Sequence, residues 1–286
     1  MTDPVSASEL ADIVAGELTL ASLPPIGGMW EPVQRMVTDL ADVSDGDVFW
    51  GIHPESQVPP EWAYASGALG VICDRPVEPW AGRFAIQIDD TQQCLSRLTD
   101  FAIQRQLGTR VFVIEHQQKT SQVIHQLLAT KMTGEQFHGS SWPFDLLGSS
   151  AASDFIVAAI NDSFLQINAL APQSHLCSSD ILVISSLAND TWQMSDSLRE
   201  FVVNETHQLT ERNWLIFNST NELTQQLSQS EARVVECQEN DQGILPRGTD
   251  ESDIQLACGV AQACNWSDEE IRNGLSALAN GFAKQP

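Results

Sequence analysis

Apolar positions change rhythm along this chain near residue 108. Upstream, short strand-like runs alternate with helical ones. "SASELADIVAG" sets apolar residues at helical spacing behind Ser6, with Glu9 three residues on, and predicts a capped helix. "MVTDLADVSDGDVFWGI" predicts a strand, a turn at Asp45-Gly46 and a second strand. "PPEWAYASGALGVICDR" predicts a short helix closed by glycine and then a buried strand, and "FAIQIDD" a further strand. "TQQCLSRLTDFAIQRQLG" carries Cys94, Leu95, Leu98, Phe101 and Ala102 on one face and predicts a helix closed by Gly108.

Downstream, one theme recurs. "RVFVIE", "DFIVAAI", "DILVISSL", "NWLIFNS" and "ARVVECQ" are short, nearly continuous apolar runs separated by helical or loop stretches. Strands that are apolar on both faces belong to a parallel sheet covered by helices on each side. Two helices follow: "SDIQLACGVAQACN", small and apolar, and "SDEEIRNGLSALANGF", with Ser267 and Glu270 as a capping box and Ile271, Leu275 and Leu278 on one stripe. The expected fold class is α/β. A small mixed domain over 1–107 precedes a Rossmann-like, mostly parallel sheet with helices on both faces over 108–286.

Composition narrows the function classes. Lys+Arg 14 against Asp+Glu 38 leaves a formal charge of −24. Such a surface repels nucleic acid and anionic lipid, so neither is an expected partner. A small anion held by backbone N–H groups remains compatible. The six cysteines (Cys73, Cys94, Cys177, Cys237, Cys258, Cys264) form no CxxC pair, which argues against a zinc site and a disulfide framework. The N-terminus has no basic segment ahead of an apolar one, and no apolar run approaches membrane-spanning length, so a cytoplasmic protein is expected. The histidines lack metal-ligand spacing, and neither Ser149-Ser150 nor Ser178-Ser179 sits in a GxSxG elbow. Trp62 and Trp142-Pro143 are candidate surface anchors, with burial in the cores as the alternative.

The one stretch with the outline of a nucleotide site is "VFVIEHQQKTSQVIHQLL": a strand, a loop, then a helix opening on Lys119, Thr120 and Ser121. Phosphate loops occupy such junctions. This loop has no glycine. Three lysines serve the whole chain (Lys119, Lys131, Lys284), so one placed here favours descent from a phosphate loop. The alternative is an ordinary helix N-terminus capped by Thr120 and Ser121.

The order of these pieces resembles the Mur ligase family, in particular the MurE and MurF branch that adds residues to UDP-MurNAc peptides. The resemblance rests on "DLADVSDGDVF" where the family carries a D-S/T-R and then a P-G-D-x-F pattern, on "AYASGALGVICDR", on "DDTQQCLSRLTDFA", on "VIEHQQKTS" where the family has G-T-x-G-K-T-T, and on "DIQLACGVAQACNWSDEEIRNGL". It spans nearly the whole chain and implies an ATP-grasping central domain. It also implies a third, C-terminal ligase domain, which is expected to be absent because the sequence stops at Pro286.

On that resemblance Glu115 and Gln118 stand at the two loop-glycine positions, and Glu115 adds a carboxylate where phosphates would lie. Lys119, Thr120 and Ser121 match a phosphate-binding lysine and its hydroxyls. The family's metal-binding glutamate falls near Ala159, with Asp162 close by. Its T-N-x…D-H step falls on "VISSLANDTWQ", where Ser185 and Ser186 precede Asn189-Asp190-Thr191 and no histidine follows. Its modified lysine falls in "SDSLREFVVNETHQLTER", which holds only Arg199 and Arg212 as strong bases. Its N-x-D-D step falls on Asn218-Ser219-Thr220-Asn221, and its substrate loop on "TGEQFHGSSWPFD". Thr38 and Asp39 mark the place of uridine binding, with Leu40-Ala41 where the arginine would be.

The reading that follows is a catalytically silent Mur-ligase-like protein with no catalytic residue, metal or cofactor, binding a UDP-MurNAc-type precursor or a cell-wall protein. The alternatives are an ATP- and Mg²⁺-dependent ligase with a divergent phosphate loop, completed by another chain, and a repurposed α/β binding module.

Overall fold

The computed structural model describes residues 5–21, 33, 35–51, 59–115, 119–137, 144, 152–161, 179–185, 195–218, 230–237 and 250–282. The chain divides into two compact units. The first is Met1–Arg105 with Ser141–Ala151 and Ile167–His175; the second is Gln106–Ser140, Ala152–Gln166 and Leu176–Pro286.

The first unit is built on a five-stranded sheet of β1 (Glu17–Leu20), β2 (Met36–Val37), β3 (Val48–Trp50), β4 (Gly70–Cys73) and β5 (Phe84–Gln87), in the order β1-β5-β4-β3-β2. Only β1 runs antiparallel to its neighbour. Alternation along each strand sends successive side chains to opposite faces. Val48, Trp50, Ile72, Phe84 and Ile86 pack with Leu10 and Val14 of α1 (Ala7–Val14) and with Cys94, Leu95 and Leu98 of α3 (Thr91–Gln104). Phe49, Val71, Cys73 and Ala85 pack with Ala63 and Tyr64 of α2 (Trp62–Ala65). The Tyr64 hydroxyl donates to Phe84 O at 2.7 Å, which satisfies the one polar atom that this aromatic takes inside.

Most expected elements are present. The two strands on either side of Asp45-Gly46, whose pairing the sequence left open, pair parallel, Met36 opposite Val48. Between them Asp39 caps a 3-10 turn over Leu40–Asp42, and Gly46 supplies the positive φ (87°) of the tight turn before β3. The strand β1 was not anticipated, and α3 stops at Gln104, short of Gly108. The capping of α1 is as expected: Ser6 Oγ accepts from Glu9 N at 3.2 Å.

The second unit carries a six-stranded, all-parallel sheet of β6 (Thr109–Ile114), β7 (Gly134–Phe137), β8 (Phe155–Ile160), β9 (Ile181–Ile184), β10 (Trp214–Asn218) and β11 (Arg233–Cys237), in the order β11-β10-β9-β6-β8-β7. Every residue of β8 and β9 is buried, as the continuous apolar runs require. One face packs Val111, Val113, Phe155, Val157, Ile181, Val183 and Ile216 against three helices. These are α4 (Lys119–Leu128), α6 (Glu251–Ala263) and α7 (Asp268–Phe282). The opposite-pointing Phe112 and Ile114 are equally buried. A further helix, α5 (Asp196–Gln208), opens on Ser195, whose hydroxyl accepts from Leu198 N. The strand β7 is a further difference, since Gly134–Phe137 of the expected loop "TGEQFHGSSWPFD" is an edge strand. Phe144 of the same stretch packs instead in the first unit, 5.3 Å from the Trp50 ring.

The order of the large sheet reverses at β6, which has β8 on one side and β9 on the other. In open parallel sheets the crevice beyond the carboxyl ends of the strands at such a reversal is where ligands are held. The segment after β6 therefore occupies the position in this unit best suited to chemistry.

Candidate functional site

The chain leaves β6 at Ile114, and Glu115 is the first residue beyond it. Its carboxylate is 1% exposed and points back onto the N-terminus of α4. Ser121 N donates to Glu115 Oε2 at 3.0 Å, the Ser121 hydroxyl donates to Oε1, and the Thr120 backbone N–H also contributes. The first turn of any helix has N–H groups without intrahelical acceptors and a partial positive charge. Here the protein's own carboxylate takes both. Gln136 of β7 adds a bond from Nε2 to Ser121 Oγ at 3.3 Å.

Thr120 is committed in another direction. Its hydroxyl donates to Asp253 Oδ1 of α6 and is 2.7 Å from Ser185 Oγ at the end of β9. With its proton given to Asp253, Thr120 accepts from Ser185. Four elements around the sheet reversal (β6, α4, β9 and α6) are thus joined by one polar network in a buried setting, which is costly to leave partly made. Lys119, at the start of α4, is exposed.

Two carboxyl groups share this space, and both have their proton affinity raised. Burial pushes Glu115 up; the hydroxyl and amide of Ser121 and the amide of Thr120 pull it back, and the charge of Asp253 pushes it up again. Asp253 is likewise raised first by burial, lowered by the Thr120 hydroxyl, raised by Asp250 and lowered by Lys119.

No family model matches the sequence, and no curated protein matches it. Solved structures do match the fold. A crystal structure of MurF from Acinetobacter baumannii superposes at TM-score 0.72 and 14% identity, over 95% of this chain and 68% of that one. The MurF ligase of Thermotoga maritima in complex with ADP gives 0.61 and 14%, over 82% of this chain and 64% of that one. A UDP-N-acetylmuramoyl-L-alanyl-D-glutamate–2,6-diaminopimelate ligase gives 0.54 and 12%, over 99% and 67%.

The chain has a Mur ligase-like fold. At these identities the likeness is one of fold, so every side chain must be judged by its own surroundings. On the Mur ligase-like fold Lys119, Thr120 and Ser121 come together at the α4 N-terminus, the hydroxyls of the latter two turned into the network. Residues 116–118, including Gln118, lie outside the described residues. Ala159 is buried within β8. Ser185 is bonded to Thr120, while Asp162, Ser186 and 189–191 lie outside the description. The helix α5 bears Arg199 and no lysine. Asn218 ends β10, and 219–221 lie outside.

Thr38 and Asp39 belong to the first unit. Thr38 is half-buried, and the exposed Asp39 spends Oδ1 on Ala41 N at 2.9 Å. Nearby, Arg35 Nη2 donates to Asp47 Oδ2 and to Asp42 O, both at 2.8 Å, a bonded arginine to which the sequence reading gave no role. Asp253 was also missed: it reads as an ordinary acidic residue in a helix's first turn, and nothing local announces its bond to Thr120. Trp62 is 59% exposed, and Trp142 lies outside the described residues. Among the described residues no group of three or more His, Cys, Asp or Glu is placed to hold a metal ion, and no helix is long and apolar enough to cross a membrane.

Proposed function

We propose that this Mur ligase-like protein does not carry out ATP-driven ligation and acts by binding, its ligand being a UDP-MurNAc-type precursor or a protein of the cell-wall machinery. The observation that carries the reading is the Glu115 carboxylate on the α4 N-terminus. A triphosphate seated there would need the amides of Thr120 and Ser121, and both already serve the buried Glu115 carboxyl group. It would have to expel that carboxylate against its own like charge, in surroundings that screen poorly. A magnesium ion would need the Thr120 hydroxyl, which is held by Asp253 and Ser185. These residues do not fit a nucleotide's phosphates and metal.

The precursor side of the proposal comes from two solved neighbours, a UDP-N-acetylmuramoylalanyl-D-glutamyl-2,6-diaminopimelate–D-alanyl-D-alanyl ligase and a UDP-N-acetylmuramoyl-L-alanyl-D-glutamate–2,6-diaminopimelate ligase, which are named for UDP-MurNAc peptides. Titration calorimetry with Mg-ATP and, separately, with a UDP-MurNAc peptide tests both halves. Heat from the precursor and none from Mg-ATP supports the reading, and heat from neither narrows it to a protein partner. Saturable micromolar Mg-ATP binding that Lys119→Ala abolishes would overturn it in favour of a working ligase site.

A further inference from the structure

One edge of the large sheet carries a pair of thiols outside the site described above. Cys237 ends the outermost strand β11, and its Sγ lies 3.5 Å from Gln255 O of α6. A Cβ placed on Gly259 would come within 3.3 Å of that sulfur, so the bare glycine lets the strand's thiol sit close against the helix. Cys258 precedes Gly259 and follows Gln255 by three residues, within the same turn of helix that touches Cys237. Both thiols are free and half-buried. They are near enough to sense each other: burial pushes Cys237 up to about 11 and Cys258 adds to it, while burial alone takes Cys258 to about 11. The buried Cys73 and Cys94 sit in separate cores of the first unit and have no such relation.

We propose that Cys237 and Cys258 are a redox pair whose oxidation ties the edge strand β11 to α6. The step joins Sγ to Sγ. Each thiol gives up one hydrogen, and the two electrons go to a peroxide, whose O–O bond breaks to leave two waters. A disulfide needs Cα atoms within about 4.4–6.8 Å, and the Cys237 sulfur already lies against the α6 backbone at Gln255 and Gly259, the turn that carries Cys258. Because burial keeps both thiols protonated at neutral pH, the bridge forms slowly, as in a device that answers sustained oxidation. The helix it fixes is the one that holds Thr120 through Asp253. This inference stands whether or not the site binds a precursor.

The test is peptide mapping of the full chain after hydrogen peroxide under native conditions, with remaining thiols blocked before digestion. The expected result is a linked pair of peptides containing Cys237 and Cys258, lost on reduction and absent from Cys258→Ser. The oxidised unmutated chain should also unfold at a higher urea midpoint than the reduced chain, a shift that Cys258→Ser lacks. Native protein that gives no such link under peroxide that fully oxidises the same chain in urea would overturn the proposal. So would links shared equally among Cys177, Cys237, Cys258 and Cys264.

Discussion

Glu115 and Glu205 are both buried glutamates of the second unit, 1% and 4% exposed, and burial raises the proton affinity of both. They are otherwise opposites. Glu115 precedes a helix and faces its N-terminal donors, with Ser121 giving two bonds and the Thr120 amide contributing. Glu205 sits in the last turn of α5, where the helix dipole disfavours a negative charge, and its Oε2 has no partner among the described residues. Its pKa reaches about 8 with burial as the sole cause. The contrast teaches that the carboxyl group at the head of α4 has hydrogen-bond partners and the one in α5 does not. A carboxylate held by fixed donors can be a permanent part of the structure, filling the place of an external anion. A carboxylate with none is neutral near pH 7.

The largest expected effect comes from Glu205. A carboxyl whose folded-state pKa is raised binds its proton more tightly when folded. Its stabilisation is therefore full below the unfolded value of 4.5 and is lost as pH rises through about 8. The loss amounts to about 3 kcal/mol by pH 7 and about 5 kcal/mol above pH 9. Urea unfolding of the chain and of Glu205→Gln at pH 5, 7 and 9 should show the variant free of that decline. Parallel curves would remove the contrast between the two glutamates.

Glu115→Ala should act in the opposite direction at neutral pH. It strands the Ser121 amide and hydroxyl in a buried space and is expected to cost about 2–3 kcal/mol, with Glu115→Gln costing less because an acceptor remains. Equal costs for the two variants would mean that the donors at the α4 N-terminus find other partners. Thr120→Val, nearly isosteric, leaves Asp253 and Ser185 without their shared hydroxyl and should cost about 1–2 kcal/mol by the same measurement. The smallest effect is at the cap of α7. There Ser267 and Glu270 exchange bonds, Ser267 N to Glu270 Oε2 at 2.8 Å and Glu270 N to Ser267 Oγ at 3.3 Å. Ser267→Ala should cost about 1 kcal/mol and leave the difference between the two glutamates untouched.

What could be read from sequence divides along similar lines. The strands β8 and β9 were legible because burial on both faces leaves an unbroken apolar run, and the caps at Ser6 and Ser267 because capping is written within four residues. The parallel pairing of β2 with β3 was not, because a strand-turn-strand pattern does not fix the direction of pairing, and the partner strands are chosen by the rest of the sheet. The strand β7 was hidden by its polar composition, Gly-Glu-Gln-Phe, which suits a half-buried edge. At the site, Glu115 could be recognised as a residue standing where glycine was expected, but its role could not. That role depends on the carboxylate meeting the amide and hydroxyl of Ser121, six residues on. Asp253 lies 133 residues from the threonine it binds, beyond the reach of any local pattern.

The central claim is that Glu115 permanently fills the anion position at the head of α4. Its most direct test is to follow the backbone amide resonances of Thr120 and Ser121 while Mg-ADP is added to the unmutated chain. The account predicts that both amides stay in place up to millimolar nucleotide. Saturable shifts at micromolar Mg-ADP, abolished by Lys119→Ala, would contradict it.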